Sequence, residues 1–196
     1  MMNWKDKIVV VAGSDKAAGR AVAAMLKEDG AVVHALESAS DNLRAGIDRA
    51  SAAVGRIDAV FCDSTISDPG LTATQLTPEV IDWAMEKTAF FSWKSALYAI
   101  PHLKVSQSGA VVFITNNSLR HPTGENVLSA ICSVSVESIT KNFSSEVASS
   151  GIRMCAVLQD AHAAPEKTAG TAIFLASESA SYITGTAIEV TATEEA

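Results

Sequence analysis

Six short apolar runs, separated by stretches that read as helix, restrict this chain more than any other feature of its sequence. The runs are 8–12 (IVVVA), 31–36 (AVVHAL), 58–62 (DAVFC), 110–115 (AVVFIT), 152–158 (IRMCAVL) and 186–191 (TAIEVT). Runs that are apolar on both faces need cover on both sides, which is the pattern of a parallel sheet sandwiched by helices. The intervening stretches 18–29, 39–54, 78–104, 126–148 and 166–178 supply those helices. Alternation of this kind, with right-handed crossovers, predicts a doubly wound α/β sheet. Gly30 is expected at the C′ position closing the first helix, with Thr77 and Pro78 as N-cap and first residue of the third. The chain has 196 residues and no repeat, linker or low-complexity segment, so it reads as one domain, 1–196.

The first run leads into "AGSDKAAGRA", a turn holding Gly13 and Gly19 followed by alanine-rich helix. Strand, glycine turn and helix in that order form the usual nest for a dinucleotide's pyrophosphate. A net charge of −7 argues against a nucleic-acid or anionic-membrane partner, because nothing offsets the phosphates. No apolar stretch approaches the roughly 20 residues of a membrane span, and the polar start "MMNWKDK" does not read as a signal peptide. Cys62, Cys132 and Cys155 are odd in number, widely spaced and set among apolar residues, as reduced thiols of a cytoplasmic protein would be. His34, His102, His121 and His162 show no metal-ligand spacing.

Gly13, Ala17 and Gly19 stand nearly as in the G-x-x-x-G-x-G turn, and the chain resembles the short-chain dehydrogenase/reductase family along most of its length. "GRIDAVF" (55–61) is similar to that family's fourth strand and its lead-in, and "GAVVFIT" (109–115) to the fifth. "SSEVASSGIRM" (144–154) resembles the end of the fifth helix and the sixth strand, and "IFLASESASYITGTAIEV" (173–190) the C-terminal helix, loop and last strand. The resemblance implies a Rossmann-like sheet with helices on both faces. It also implies that Gly13, Gly19 and Glu37, the last at the end of the second strand, are the cofactor-binding positions, with NAD favoured over NADP by the acid.

Against the same family pattern the chemistry is missing. Members use a serine to polarise the substrate carbonyl, a tyrosine as acid/base, and a lysine one helical turn later whose charge lowers the phenol's pKa. Counting back from Glu146 and Ile152 puts the tyrosine position at Ser129 and the lysine position at Ser133, and the serine position falls at Asn116. "CDST" (62–65) replaces Asn-Asn-Ala-Gly, and Thr88 stands for the structural asparagine of the fourth helix. Between Glu37 and Gly55 there is room for one helix only, so the third strand is expected to be absent, leaving about six strands with the second at an edge. "QDAHAAPEK" (159–167) replaces the substrate lid, so nothing is expected to close over a nicotinamide. Ala17 and Asp15 put a methyl and a negative charge where the pyrophosphate would lie.

The expectation is therefore a catalytically silent subunit, binding no cofactor itself, that assembles with an active NAD-dependent short-chain dehydrogenase. Paired active and inactive subunits of this family occur in hydroxyacyl-CoA dehydrogenation, which gives the type of partner. Helices 78–104 and 126–148 and the segment 173–191 are the expected contact elements, because Trp83, Phe90, Phe91, Trp93, Leu97 and Tyr98 give the long helix more apolar surface than one sheet face needs. Two alternatives are an oxidoreductase with His121 and Glu125 as a relocated acid/base pair, and a homo-oligomeric module binding a small ligand. Cys132 has nothing basic beside it in sequence to make it a nucleophile.

Overall fold

The computed structural model describes residues 4–39, 42–106, 108–120 and 122–192. Six strands form one fully parallel sheet in the order β2-β1-β3-β4-β5-β6. They are β1 (Ile8–Ala12), β2 (Val32–Leu36), β3 (Ala59–Asp63), β4 (Ala110–Asn116), β5 (Arg153–Gln159) and β6 (Thr186–Val190). β2 is an edge strand, as the missing third strand of the family pattern requires. The helices are α1 (Ala17–Glu28), α2 (Leu43–Ser51), α3 (Pro78–Met85), α4 (Phe91–Ser106), α5 (Val127–Val147) and α6 (Pro165–Ala176).

The apolar runs of the four inner strands are buried, whereas the edge strands β2 and β6 are only partly covered. Val9, Val11, Phe61, Val112, Ile114 and Val157 face α1 and α6, where they meet Val22, Leu26 and Ile173. Ile8, Val10, Val60, Phe113 and Met154 face the other layer, with Ile47, Leu103 and Val136. Each of these side chains contributes about 1.5–3 kcal/mol on leaving water, so the order of the sheet is secured from both sides.

Helix ends depart from the sequence expectations in ways the structure explains. The second helix is confined to Leu43–Ser51 rather than 39–54, and Gly55 at φ +78° turns the chain away after it. The expected single helix 78–104 is α3 and α4 joined by a π-turn, Glu86–Phe90. There the Thr88 hydroxyl donates to the Ala84 carbonyl at 2.7 Å, competing for the acceptor an α-helix would give its own amide. Pro101 sits inside α4, where it lacks the amide proton for the ladder. Pro78 opens α3 as expected, but Thr77 makes no side-chain cap. Its hydroxyl turns to Glu79, whose carboxyl it holds below the usual value.

One device fixes the C-terminal segment to the sheet. Arg153 of β5 donates through Nη1 to the carbonyls of Leu175 (2.6 Å) and Ala180 (3.0 Å), and through Nη2 to those of Ala176 (2.9 Å) and Ser177 (3.0 Å). The Leu175 and Ala176 carbonyls are left open by the end of α6, and those of Ser177 and Ala180 also accept amides of the turn beyond it, so a single guanidinium ties that terminus down.

Candidate functional site

In a doubly wound sheet the carboxyl ends of the strands are where a ligand would enter. Here those ends carry the glycine turn after β1, Asp63 after β3, Asn116 to Ser118 after β4, and the start of α5.

The glycine turn is packed against its own neighbours. Gly13 has φ +81°, and a Cβ there would stand 2.2 Å from the Asp63 carbonyl oxygen. A Cβ on Gly19 would stand 2.4 Å from the Gly13 carbonyl oxygen. Both glycines are thus required by the approach of β1, β3 and α1, whether or not anything binds. Asp63 is fully buried, and its Oδ2 accepts the Gly19 amide at 2.9 Å, in the first turn of α1. Its Oδ1 accepts the amide (3.1 Å) and hydroxyl (2.7 Å) of Thr65. Burial pushes its carboxyl above the usual range, against these bonds and the nearby Lys16 charge. Asp15 accepts the amide and hydroxyl of Ser38 at 2.6 and 2.7 Å. Burial alone would raise Asp15, but the Ser38 bonds outweigh it and its pKa is lowered. Glu37, the residue before Ser38, is exposed.

The positions matching the family's catalytic residues form a different contact set. Ser129, in the first turn of α5, is buried, and its hydroxyl lies 2.6 Å from Asp68 Oδ2 and 2.6 Å from the Ser118 hydroxyl. The same Asp68 oxygen accepts the Ser129 amide at 3.1 Å, capping α5 from the β3–α3 connection. Ser129 has one hydroxyl proton, and a carboxylate, which only accepts, takes it. Ser133 donates to the Ala130 carbonyl of its own helix at 3.0 Å. Among the described residues no tyrosine, lysine or histidine is bonded to either serine.

Asn116 does not meet Ser129. Its amide clamps the backbone of Ile66, accepting from the amide at 2.9 Å and donating to the carbonyl at 3.0 Å. It holds the β3–α3 connection against β4, while Ser118 supplies the hydroxyl beside Ser129. Spacing missed both Ser118 and Asp68. The Asp68–Pro69–Gly70 turn, in which Asp68 Oδ1 accepts the Gly70 amide at 3.0 Å, was the one local signal for the acid.

Of the alternative acid/base pair, His121 lies outside the described residues, and Glu125 is exposed on the connection into α5. The three cysteines are buried, and burial pushes their thiols up, Cys62 to about 11. Among the described residues no three His, Cys, Asp or Glu side chains gather as a metal site, and no helix is long and apolar enough to cross a membrane.

Comparison with known proteins adds to this geometry. The model of the enoyl-(acyl carrier protein) reductase family matches residues 5–163, about four-fifths of the chain. A Serratia marcescens short-chain dehydrogenase/reductase, solved as a double Phe-to-Leu mutant, superposes with a TM-score of 0.87 at 19% identity over 96% of this chain and 97% of that one. Its double Phe-to-Tyr mutant gives a TM-score of 0.86 at the same 19% identity over 96% and 97%. Cj0485 dehydrogenase gives 0.84 at 14% identity, over 95% of this chain and 93% of its own. At these identities the likeness to the solved structures is one of fold. No curated protein matches the chain in sequence.

Proposed function

This chain belongs to the short-chain dehydrogenase/reductase family, and from that premise we propose that it is a catalytically silent member acting through assembly with a complete, NAD-dependent dehydrogenase of the same family. The observation that carries this reading is Ser129, where a tyrosine would work. Its hydroxyl is engaged by Asp68 and Ser118, and the lysine position one turn on is a serine bonded back to its own helix. A serine hydroxyl beside a carboxylate, without a cation, has no means of exchanging a proton with an alcohol at neutral pH.

The residues present do not fit a dinucleotide. The Gly19 amide, one of the donors a pyrophosphate would need, already serves Asp63. Asp15 places a carboxylate on the outer rim of the same turn, and Ala17 adds a methyl there. The active partner therefore supplies tyrosine, lysine and NAD, and a hydroxyacyl-CoA dehydrogenase is the partner type this reading favours.

What supports association is the surface of α3, the π-turn, α4 and α5. Trp83, Phe90, Trp93 and Leu97 are 38–49% exposed on one side, with Ile131 and Val134 of α5 similarly exposed. Met85, Phe90, Trp93, Val134 and Ile139 line a shared apolar groove between the two helices. Large apolar side chains left in water this way mark an interaction face.

The test pairs two measurements. The chain alone is titrated with NADH and assayed for alcohol oxidation, and the chain co-expressed with a complete family member is examined by native mass spectrometry. The expected results are no saturation by NADH up to about 1 mM, no turnover, and a mixed assembly that Trp93→Glu dissociates. Micromolar NADH affinity or turnover by the chain alone would overturn the reading.

A further inference from the structure

The amino ends of the strands, opposite the glycine turn, carry a cavity of their own. It measures about 190 Å³ and lies where Lys7 leads into β1, Asp58 leads into β3 and Arg153 opens β5, beside the turn that follows α6. Trp4 gives it an apolar wall, since the indole is 5% exposed and packs against Phe61 with ring centres 6.2 Å apart. Ser108, Ser179 and Ser181 also line it, and all three are exposed. An apolar cavity of about 150 Å³ takes up a benzene, so this space suits a single six-membered ring.

The charges around the cavity do not balance. Asp58 is buried, and its Oδ2 accepts the Ile8 amide at 2.8 Å. Arg56 Nε lies 3.1 Å from Asp58 Oδ1 and matches its charge, whereas Lys7 Nζ stands 3.9 Å away with its side chain 35% exposed. The Arg153 guanidinium donates to neutral carbonyls and is paired with no carboxylate among the described residues. Burial holds its pKa below the ordinary arginine value. Glu178 is the other acid on the wall, and it is exposed. With Asp58 matched by Arg56, Lys7 and Arg153 face Glu178 alone. That leaves one positive charge in excess beside an apolar ring, in a chain whose net charge is −7.

We propose that this cavity binds a small monoanionic carboxylic acid of the benzoate class. The Lys7 ammonium and the serine hydroxyls hold the carboxylate, and the ring lies against Trp4. Arg153, whose Nη protons are already donated to carbonyls, contributes its charge rather than a hydrogen bond. The site is at the far end of the sheet from the glycine turn and Ser129, so the proposal goes beyond the silent-subunit reading and does not rest on it.

The experiment is calorimetric titration of the whole chain with benzoate, benzamide, benzylamine and acetate at matched ionic strength. Benzoate is expected to saturate one site with a Kd of about 1 mM or below. Benzamide, which lacks the charge, and acetate, which lacks the ring, should each bind at least about tenfold more weakly, and benzylamine should not saturate. Lys7→Met is expected to weaken benzoate about fivefold or more, and Glu178→Gln to tighten it about two- to fivefold. Lys87→Met, on the π-turn before α4, should leave it unchanged. Circular dichroism checks each variant's fold, and Glu178→Gln, a change at an exposed side chain, decides if Lys7→Met does not fold. No saturation by benzoate up to about 10 mM, benzamide, acetate or benzylamine binding as tightly as benzoate, or Lys7→Met and Glu178→Gln both binding as the parent does would overturn the proposal.

Discussion

Replacing Gly13 by alanine separates a glycine kept for packing from one kept for a ligand. The new Cβ would stand 2.2 Å from the Asp63 carbonyl oxygen and 3.1 Å from its carbonyl carbon. Asp63 cannot readily retreat, because β3 is paired on both sides, Cys62 with Ala12 of β1 and Asp63 with Ile114 of β4. Holding alanine at φ +81° costs about 1–2 kcal/mol, and forcing an extra carbon into a packed contact costs about 1–3 more. A loss of about 2–5 kcal/mol follows, which in a chain of this size lowers Tm by roughly 4–20 °C. Gly55→Ala is the control, since Gly55 has φ +78° and nothing within 4 Å of the new carbon. It should lose only the conformational part, about 1–2 kcal/mol or roughly 2–8 °C. Differential scanning calorimetry of both variants, without added nucleotide, gives the comparison. Equal losses in the two would refute the close-approach argument and return Gly13 to the role of a ligand contact.

Arg153→Ala removes the donors that close the end of α6, and urea unfolding should report a loss of about 3–5 kcal/mol, with Arg153→Lys recovering less than half. The Cys62 thiol is raised from 9.0 to about 11 in the fold, so the unfolded chain ionises first as pH rises. Its contribution is intact below pH 9 and lost progressively between pH 9 and 11, by about 2–3 kcal/mol, and Cys62→Ala should flatten that part of a stability–pH profile. Asp68→Ala removes the cap on α5 and the partner of the Ser129 hydroxyl. It should cost about 1–2 kcal/mol, and hydrogen exchange at the Ser129 and Gly70 amides should accelerate before any global unfolding.

The elements were legible because their signals are local. Consecutive apolar residues in IVVVA, AVVFIT and IRMCAVL announced strands covered on both faces, and all six runs are strands within a residue or two. The lack of room between Glu37 and Gly55 foretold β2 at the sheet edge. Helix interiors were less legible where side chains compete with the backbone, as Thr88 does with the Ala84 carbonyl. Spacing placed the substituted catalytic positions on α5 at Ser129 and Ser133 and the serine position at Asn116, but gave no sign that the Ser129 hydroxyl meets Ser118. Chain position after a strand does not say which of three successive polar residues turns inward once the loop is pulled toward Ile66.

By itself the sequence determined the layers, the strand count and the absence of a tyrosine–lysine pair, since each follows from residue type and short-range period. Only the tertiary structure decided what the remaining polar groups do. Asp63 meets Gly19 across 44 residues, and Asp68 meets Ser129 across 61. Lys16 reaches Phe91 on a helix of the opposite layer, 75 residues away. Contacts of that separation exist only once packing of both sheet faces has brought distant strand ends together, and buried polar atoms then take the partners that geometry leaves within reach.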